Sequence, residues 1–249
     1  MRVYWTLLRR ELSVYFISLA GYVIIAAITF LSGLIFKVLM DRLGSTPFPM
    51  PVTELFFNTL WFWIMLPLVA PVITMRLFAL EKFSGTFETL MTAPVSDLQV
   101  VAAKFTAALV FYLVMWLPLL GGLFIVQHFT NQPGTLNLGS VGGMYLGLFF
   151  AGGLFISIGC FTSSLTRSQM IAAMVSLAIG IGLLMISYLA EQIPAHDWKS
   201  QVLSFFNLPD QIHDFLRGVV DTRAVVFYVS LTLFFLFLTL RAVESRRWK

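Results

Sequence analysis

The stretch Ser13–Phe36, SVYFISLAGYVIIAAITFLSGLIF, decides the class of fold. Its 24 residues include no Asp, Glu, Lys or Arg. A helix needs about 20 apolar residues to cross the hydrocarbon core of a bilayer. The apolar core of a cleavable signal peptide has only about 7–15. The stretch therefore predicts a retained membrane span over residues 14–37.

Charge-poor runs of similar length recur along the chain and predict five further spans. They lie at about residues 55–76, 101–126, 138–164, 168–190 and 223–241. The longest charge-free run, Phe105–Thr166, has to turn once, and the polar segment Gln127–Gly134 is the predicted place. Pro67, Pro71 and Pro118 fall inside spans, where each is expected to kink its helix.

The composition supports the same class of fold. The chain is 59% hydrophobic and only 11% charged, and its mean hydropathy is +0.88. A soluble domain has about 25% charged residues, so this chain has too little polar surface to cover a water-soluble globule. We therefore predict an all-α membrane protein in which residues 1–249 form a single six-span domain that contacts the lipid bilayer.

The positions of Lys and Arg predict the orientation. If both termini face the cytoplasm, 11 of the 16 basic residues lie inside and five lie outside. Cytoplasmic loops of membrane proteins carry such an excess. This excess explains the net charge of +4, so a nucleic-acid partner is not needed to explain it.

The first 13 residues predict a basic amphipathic helix lying in the cytoplasmic membrane interface. At 100° per residue, Arg9 and Arg10 share one side with other polar residues, while Tyr4 and Trp5 lie on the apolar side. Glu11 is the exception on the apolar side. An irregular basic tail is the alternative.

The sequence lacks the common motifs of enzymes. It has no G-x-x-x-x-G-K-[ST] phosphate loop, no H-E-x-x-H and no G-x-S-x-G. Its three histidines and single cysteine have no metal-ligand spacing, so Cys160 is expected to pack. We therefore expect no catalytic residue, metal or cofactor in this chain.

The predicted spans also lack a central ionisable residue, which ion-coupled carriers usually place there. Lys104 lies near a span end, where it is expected to extend to the membrane surface. If the protein moves a substrate, its energy is therefore expected to come from another source.

A short amphipathic helix is predicted between the second and third spans. Its apolar stripe, at spacing i, i+4, i+7 and i+8, is expected to lie against the spans and consists of Phe83, Phe87, Leu90 and Met91. The polar residues that point away from the stripe are Glu81, Lys82, Glu88 and Thr92. Such a helix can transmit force from a docked partner to the spans. A plain intracellular loop lying on lipid is the alternative.

Helix-ending and helix-starting residues mark the borders of this segment. Pro94 ends the amphipathic helix, and Ser96-x-x-Gln99 is a capping box that starts the next one. Gly85 either lets a partner surface approach or lets the chain turn, and the Thr86 hydroxyl is expected to fix such a turn.

Two motifs carry a resemblance to a known family. The first is Glu81-x-x-x-Gly85-Thr86-x-Glu88-x-Leu90-x-Thr92-Ala93-Pro94-Val95-Ser96, and the second is Asp210-x-x-His213-Asp214-Phe215-x-Arg217-Gly218-Val219-Val220-Asp221. The first resembles the corresponding loop of ABC-2 type permeases. It is most similar to the branch that includes gliding-motility-associated and copper-enzyme-maturation permeases.

The resemblance implies six spans per subunit, pairing of two permease subunits, and docking of a separate cytoplasmic ABC ATPase that holds ATP and Mg. The implied docking and coupling residues are Glu81, Gly85, Thr86, Phe87, Glu88, Leu90 and Pro94. It also implies a multi-pass protein of the bacterial inner (plasma) membrane, with room for an additional periplasmic or membrane partner.

A second short helix is predicted before the last span, as a re-entrant or interfacial helix that dips into the outer membrane interface. Pro209 suits its first turn and Gly218 the position after its end. Its apolar stripe comprises Ile212, Phe215, Leu216 and Val219, and Asp214 can pair with Arg217. In permeases of this kind such a helix narrows the outer mouth of the pathway. A simple surface cap is the alternative.

The expected function is that of the membrane-spanning permease subunit of an ABC transporter, working as a homodimer or with a similar chain, for export or movement of an unidentified substrate. A non-transporting scaffold or force-transmitting subunit of an ABC-like complex is the alternative. An intramembrane enzyme is disfavoured, because no facing catalytic groups occur in the spans. The substrate is not readable from the sequence.

Overall fold

The computed structural model describes residues 2–43, 56–57, 59–88, 95–130, 138–192 and 206–245. Within these residues the chain forms helices and no strand. In order, they are α1 (Arg2–Ile17), α2 (Leu19–Leu43), α3 (Leu60–Thr74), α4 (Ala79–Ser84), α5 (Asp97–Met115), α6 (Leu117–Thr130), α7 (Leu138–Leu165), α8 (Gln169–Gln192), α9 (Leu208–Leu216) and α10 (Thr222–Glu244).

Six membrane-length apolar segments are found in the described part of the chain. They run over Leu19–Val38, Leu60–Ser84, Asp97–Ile125, Gly139–Leu165, Gln169–Ala190 and Thr222–Glu244. Each is long and apolar enough to cross a bilayer. The prediction of an all-α protein with six membrane-spanning helices is therefore confirmed.

The first predicted boundary is wrong. The amphipathic helix continues to Ile17 instead of ending at residue 13, and the first span begins at Leu19. The chain bends at Ser18, whose hydroxyl accepts a hydrogen bond from the Gly21 amide at 3.2 Å. A charge-free run cannot locate this bend, because apolar residues lie on both sides of it.

The third span is interrupted, and the helix that completes it continues beyond the predicted end of the span. Helix α5 stops at Met115, and α6 begins at Leu117, directly before Pro118. Proline lacks an amide proton, so the Val114 carbonyl oxygen has no helical donor at Pro118, and the Trp116 amide donates to the Leu113 carbonyl oxygen at 3.2 Å. Helix α6 continues to Thr130, so the predicted turn does not begin at Gln127. Residues 131–137 lie outside the described chain.

Helix α7 is the most buried of the six spans, and its glycines allow the close packing. A Cβ atom at Gly152 would lie 2.3 Å from the Tyr112 ring of α5, and one at Gly159 would lie 2.0 Å from the Thr74 hydroxyl of α3. The Phe150 ring stacks on Tyr228 of α10. Spans α3, α5 and α10 thus pack on one central helix, as small residues permit in membrane bundles.

Two further glycines of α7, four residues apart, form a packing face at the other end of the helix. A Cβ atom at Gly143 would lie 1.9 Å from the carbonyl oxygen of Phe215, and one at Gly147 would lie 3.5 Å from the Phe215 Cβ. This face therefore packs against α9 of the same chain.

The interhelix contacts place α1, α4, the start of α5 and the end of α7 together at one end of the bundle. The Tyr4 hydroxyl lies 2.9 Å from that of Thr106 in α5, and Tyr15 stacks on Phe111. Helix α9 lies at the opposite end. We call the first the α4 end and the second the α9 end.

Candidate functional site

The short helix α4 is fixed at its start by a serine from the end of α7. The Ser163 hydroxyl accepts hydrogen bonds from the backbone amides of Phe78 and Ala79, both at 3.1 Å. These amides begin a helix and lack partners within it. Phe78 and Ala79 are fully buried. Ser163 therefore joins the start of α4 to the central helix α7.

Four charged side chains join α1, α4 and α5, and we call them the charge cluster: Arg10, Glu11, Glu81 and Lys104. The Lys104 ammonium lies 2.8 Å from Glu81 Oε1 and 3.1 Å from Glu11 Oε1. Arg10 Nη2 lies 3.0 Å from Glu81 Oε1 and 3.8 Å from Glu11 Oε1. Two cations thus balance two carboxylates where three helices meet.

Burial makes this cluster more than a set of surface ion pairs. The exposed fractions of the side chains are 3% for Lys104, 9% for Glu11, 12% for Glu81 and 53% for Arg10. Removing one partner from a buried pair leaves an uncompensated charge, whereas exposed pairs contribute little. Within the described residues, Glu81 Oε2 is buried without a hydrogen-bond partner, so that carboxylate depends on its other oxygen for all its pairing.

Helix α1 is fastened to α3 as well. The Tyr15 hydroxyl donates a hydrogen bond to the Ile73 carbonyl oxygen at 3.0 Å. Burial raises the pKa of Tyr15 well above its ordinary value, so its phenol remains a donor. The N-terminal helix is consequently tied to both spans that flank α4.

Gly85 ends α4 and turns the chain. Its φ is +74°, in the left-handed region that suits glycine, and open space surrounds the position of a Cβ atom. The Thr86 hydroxyl lies 2.9 Å from that of Ser84. The structure supports a chain turn at Gly85 as its role, the alternative being close approach of a partner. The Thr86 hydroxyl contacts the residue before this turn, as expected.

The predicted apolar stripe is wrong, because the turn at Gly85 breaks the helical spacing. Phe87 is 6% exposed, but Phe83 is 79% exposed and does not lie against the spans. Leu90, Met91 and Pro94 lie outside the described residues. The spacing rule assumed one helix through Phe83 and Phe87, whereas α4 ends at Ser84.

The predicted polar side is also different. Glu81 lies in the charge cluster, and Lys82 is buried, donating a hydrogen bond to the Ser164 carbonyl oxygen of α7. The Lys82 ammonium lies 5.2 Å from the centre of the Phe87 ring. Glu88 is exposed, as predicted. Glu81, Lys82 and Phe87 thus anchor the segment internally, while Phe83 and Glu88 are available to a partner.

The next helix begins as predicted. Ser96 is the N-cap of α5, and its hydroxyl accepts a hydrogen bond from the Gln99 amide at 3.4 Å.

At the α9 end, the second short helix is present but is packed more deeply than predicted. It begins with Pro209 in its first turn, and Gly218, with φ of +78°, follows its end. Ile212 and Phe215 are buried against α7, and Arg217 is exposed after the last turn. Val219 is 59% exposed and is not part of the buried side. The pairing of Asp214 with Arg217 stays a prediction.

Sequence reasoning missed Glu11 and Lys104 as members of the site. Glu11 was the single acid on the apolar side of α1, and Lys104 was expected to extend to the membrane surface. Instead both are buried and face each other. A carboxylate and an ammonium that are each misplaced in an apolar pattern are a signal of pairing, because buried charges are rarely left alone.

The single cysteine and the possible metal ligands give no further candidate site in the described residues. Cys160 is fully buried on α7, in agreement with a packing role. The described part of the chain contains no cluster of His, Cys, Asp and Glu that could hold a metal ion.

The described structure is that of a polytopic helical membrane protein. Six membrane-length segments form a bundle in which α7 is the most buried, and the charge cluster joins α1 to α4 and α5. The family described as ABC-2 family transporter protein matches residues 17–240. The chain therefore belongs to this family and is a multi-pass membrane permease of an ABC transporter. No curated protein matches the chain.

Proposed function

We propose that a separate cytoplasmic ABC ATPase drives this permease by docking on the exposed side chains of the α4 segment. We call these side chains, Leu80, Phe83 and Glu88, the docking trio. The observation that carries the proposal is Phe83, a large aromatic side chain of α4 that is 79% exposed. Aromatic residues that fill a pocket of a partner contribute strongly to protein interfaces.

The anchoring of α4 supports its use as a lever. Glu81 pairs with α1 and α5, Lys82 bonds to the end of α7, and Ser163 holds its first turn. A force applied to Phe83 therefore reaches three further helices through short polar contacts. Since α7 packs against α3, α5 and α10, a shift there would alter the packing of the spans.

The energy source belongs to the partner in this proposal. The sequence has no phosphate-binding loop, so ATP and Mg would bind in the ATPase. Leu90 and Pro94, which the motif resemblance adds to the docking segment, stay part of the proposal. The assignment to the gliding-motility and copper-enzyme-maturation branch, which rests on the same motif resemblance, is also part of the proposal.

The proposed setting is a bacterial inner membrane with both termini and the α4 end in the cytoplasm. The excess of Lys and Arg on that side supports it. Two permease subunits, identical or similar, would line a pathway between them. Helix α9 would narrow its outer mouth, with a surface cap as the alternative, and an accessory periplasmic or membrane partner fits the same arrangement.

A scaffold that transmits ATPase force without transport would use the same contacts. ATP-dependent flux of native cargo in proteoliposomes would separate the two. Flux favours transport, and ATPase turnover without flux favours the scaffold.

Replacement of Phe83 tests the docking step. Phe83→Ala is expected to weaken ATPase binding at least about tenfold, as loss of an interface aromatic does. Phe30→Ala is the matched control, because Phe30 is 66% exposed but lies in the middle of α2. Equal ATPase affinity for both variants and the unaltered chain would refute docking at Phe83.

A further inference from the structure

A shallow groove runs along the first turns of α10, at the α9 end of the molecule. Its volume is about 570 Å³, and its lining includes Phe206, Arg223, Val226, Phe227, Ser230 and Leu231. The Phe206 and Phe227 rings meet edge to face, with centroids 5.4 Å apart. The lining residues of α10 recur at helical spacing between 223 and 231, so the groove follows one side of that helix.

The groove is apolar along its length and cationic at one end. Val226, Phe227 and Leu231 present hydrocarbon, and the Ser230 hydroxyl proton is already donated to the Phe227 carbonyl oxygen at 3.0 Å. Arg223 is exposed at the first turn of α10 and is the charged member of the described lining. The Asp221 carboxylate accepts from the Arg223 backbone amide and so caps the helix.

The depth of the groove follows from the length of α10. This span has 23 residues, about 35 Å at 1.5 Å per residue, so its first turn lies where the hydrocarbon core meets the headgroups. Arg223 thus lies at phosphate depth, while Val226 and Leu231 lie at acyl-chain depth. A ligand suited to both parts has an anionic end and a single apolar chain.

We propose that this groove holds one acyl chain of a phospholipid from the adjoining leaflet, with the lipid phosphate bound to the Arg223 guanidinium. The guanidinium pairs well with phosphate through two parallel donors. The membrane supplies phospholipid at this depth at high local concentration, which identifies the occupant. The bound lipid completes the surface between Phe206 and α10.

Native mass spectrometry of the delipidated chain, titrated with dioleoyl phosphatidylglycerol, tests the site. Arg223→Gln removes the phosphate contact, and Val226→Trp fills the groove at a side chain that is already 64% exposed. Arg223→Gln is expected to weaken the tightest lipid-binding step at least about tenfold, the value of one charged hydrogen bond, and Val226→Trp at least as much, because it occupies the place of the acyl chain.

Val229→Trp and Arg241→Gln are the matched controls. Val229 is 40% exposed on α10 outside the lining, and Arg241 lies at the other end of the same helix. Both are expected to keep the affinity of the tightest step within about twofold, well below one charged hydrogen bond. Equal weakening by the controls, or none by Arg223→Gln and Val226→Trp, would overturn the proposal.

Two further arms identify the occupant. Dioleoylglycerol, which has the same acyl chains without the phosphate, is expected to bind weakly, and affinity equal to that of the phospholipid would contradict recognition of the phosphate. Val226→Cys in a Cys160→Ala background tests whether a second copy covers the groove instead. Efficient disulfide formation between two chains at residue 226 in the membrane would refute lipid occupancy.

Discussion

At the scale of single residues, Lys104 is the most buried member of the charge cluster. Its ammonium group lies within hydrogen-bond distance of both the Glu11 and the Glu81 carboxylates, and its side chain is 3% exposed. Its distance of 5.5 Å to the centre of the Phe78 ring adds a cation–π contact. Loss of this charge leaves two carboxylates together at the junction of three helices.

Lys104→Met is therefore expected to destabilise the purified protein by about 3 kcal/mol, the cost of breaking a buried ion pair. Lys104→Arg should keep most of the stability, since the positive charge is retained. Lys37→Met is the control, because Lys37 is exposed on α2. The measurement is equilibrium unfolding in mixed detergent micelles. A loss no larger than that of Lys37→Met would show that the cluster contributes nothing to the fold.

The charge cluster was not predictable from the sequence for a physical reason. Glu11 and Lys104 are 93 positions apart, and Arg10 and Glu81 are 71 apart, so no local spacing relates them. Only the unusual places of Glu11 and Lys104 in apolar patterns were visible. Exposure of Phe83 was hidden too, because the spacing rule treats a run of residues as one helix and a glycine in the left-handed region interrupts it.

Gly85 gives a second prediction at this scale. Gly85→Ala is expected to cost about 1–2 kcal/mol, because an alanine is strained at φ of +74° although space surrounds it. Gly182→Ala is the matched control on α8, where a Cβ atom would also meet open space. That change should be neutral or slightly stabilising in a helix. Equal unfolding midpoints for the two variants would contradict the strained turn.

The Gly85→Ala variant also tests coupling. If the turn sets the direction of the docking trio, ATPase affinity should fall in Gly85→Ala and stay unchanged in Gly182→Ala. Unchanged ATPase affinity in both variants would show that the turn at Gly85 is not needed for docking.

At the scale of elements, the sequence predicted the lengths of the spans more accurately than the positions where helices bend or break. The fourth predicted span, 138–164, agrees with α7 almost residue for residue. Charge-free runs predict such spans because lipid tolerates few charges. The bend at Ser18 depends on the close contact of Gly21 with the Tyr15 carbonyl, which a hydropathy pattern does not encode.

The seat of α9 on α7 leads to a prediction about neighbouring glycines. Gly143→Ala would place a methyl group 1.9 Å from the Phe215 carbonyl oxygen, so one of the two backbones must move. We expect a loss of about 1–3 kcal/mol, as for other overpacked positions. Gly142→Ala is the control one residue away, where a Cβ atom meets nothing within 4 Å. Thermal unfolding of both variants measures the difference, and equal midpoints would contradict this packing.

At the scale of the whole molecule, the arrangement separates two ends with different contacts. The α4 end combines buried ion pairs with an exposed aromatic side chain, while the α9 end combines a packed short helix with the groove on α10. The α4 end is the proposed ATPase side, because it carries the docking trio.

Cysteine labelling tests this orientation. In a Cys160→Ala background, Phe83→Cys should react with a membrane-impermeant maleimide only from the cytoplasm, and Val220→Cys only from outside. Both side chains are exposed, at 79% and 52%, so access does not limit the reaction. Labelling of both positions from the same side would contradict the six-span topology.

Photo-cross-linking from position 83 tests the central claim most directly. A photoreactive phenylalanine analogue at Phe83, activated in native membranes, is expected to capture a protein that mass spectrometry identifies as a P-loop ATPase, in a yield that changes with ATP. The same analogue at Phe30, which is 66% exposed in the middle of α2, should not capture it. Absence of an ATPase adduct at position 83, or an equal adduct at position 30, would contradict docking on the α4 segment.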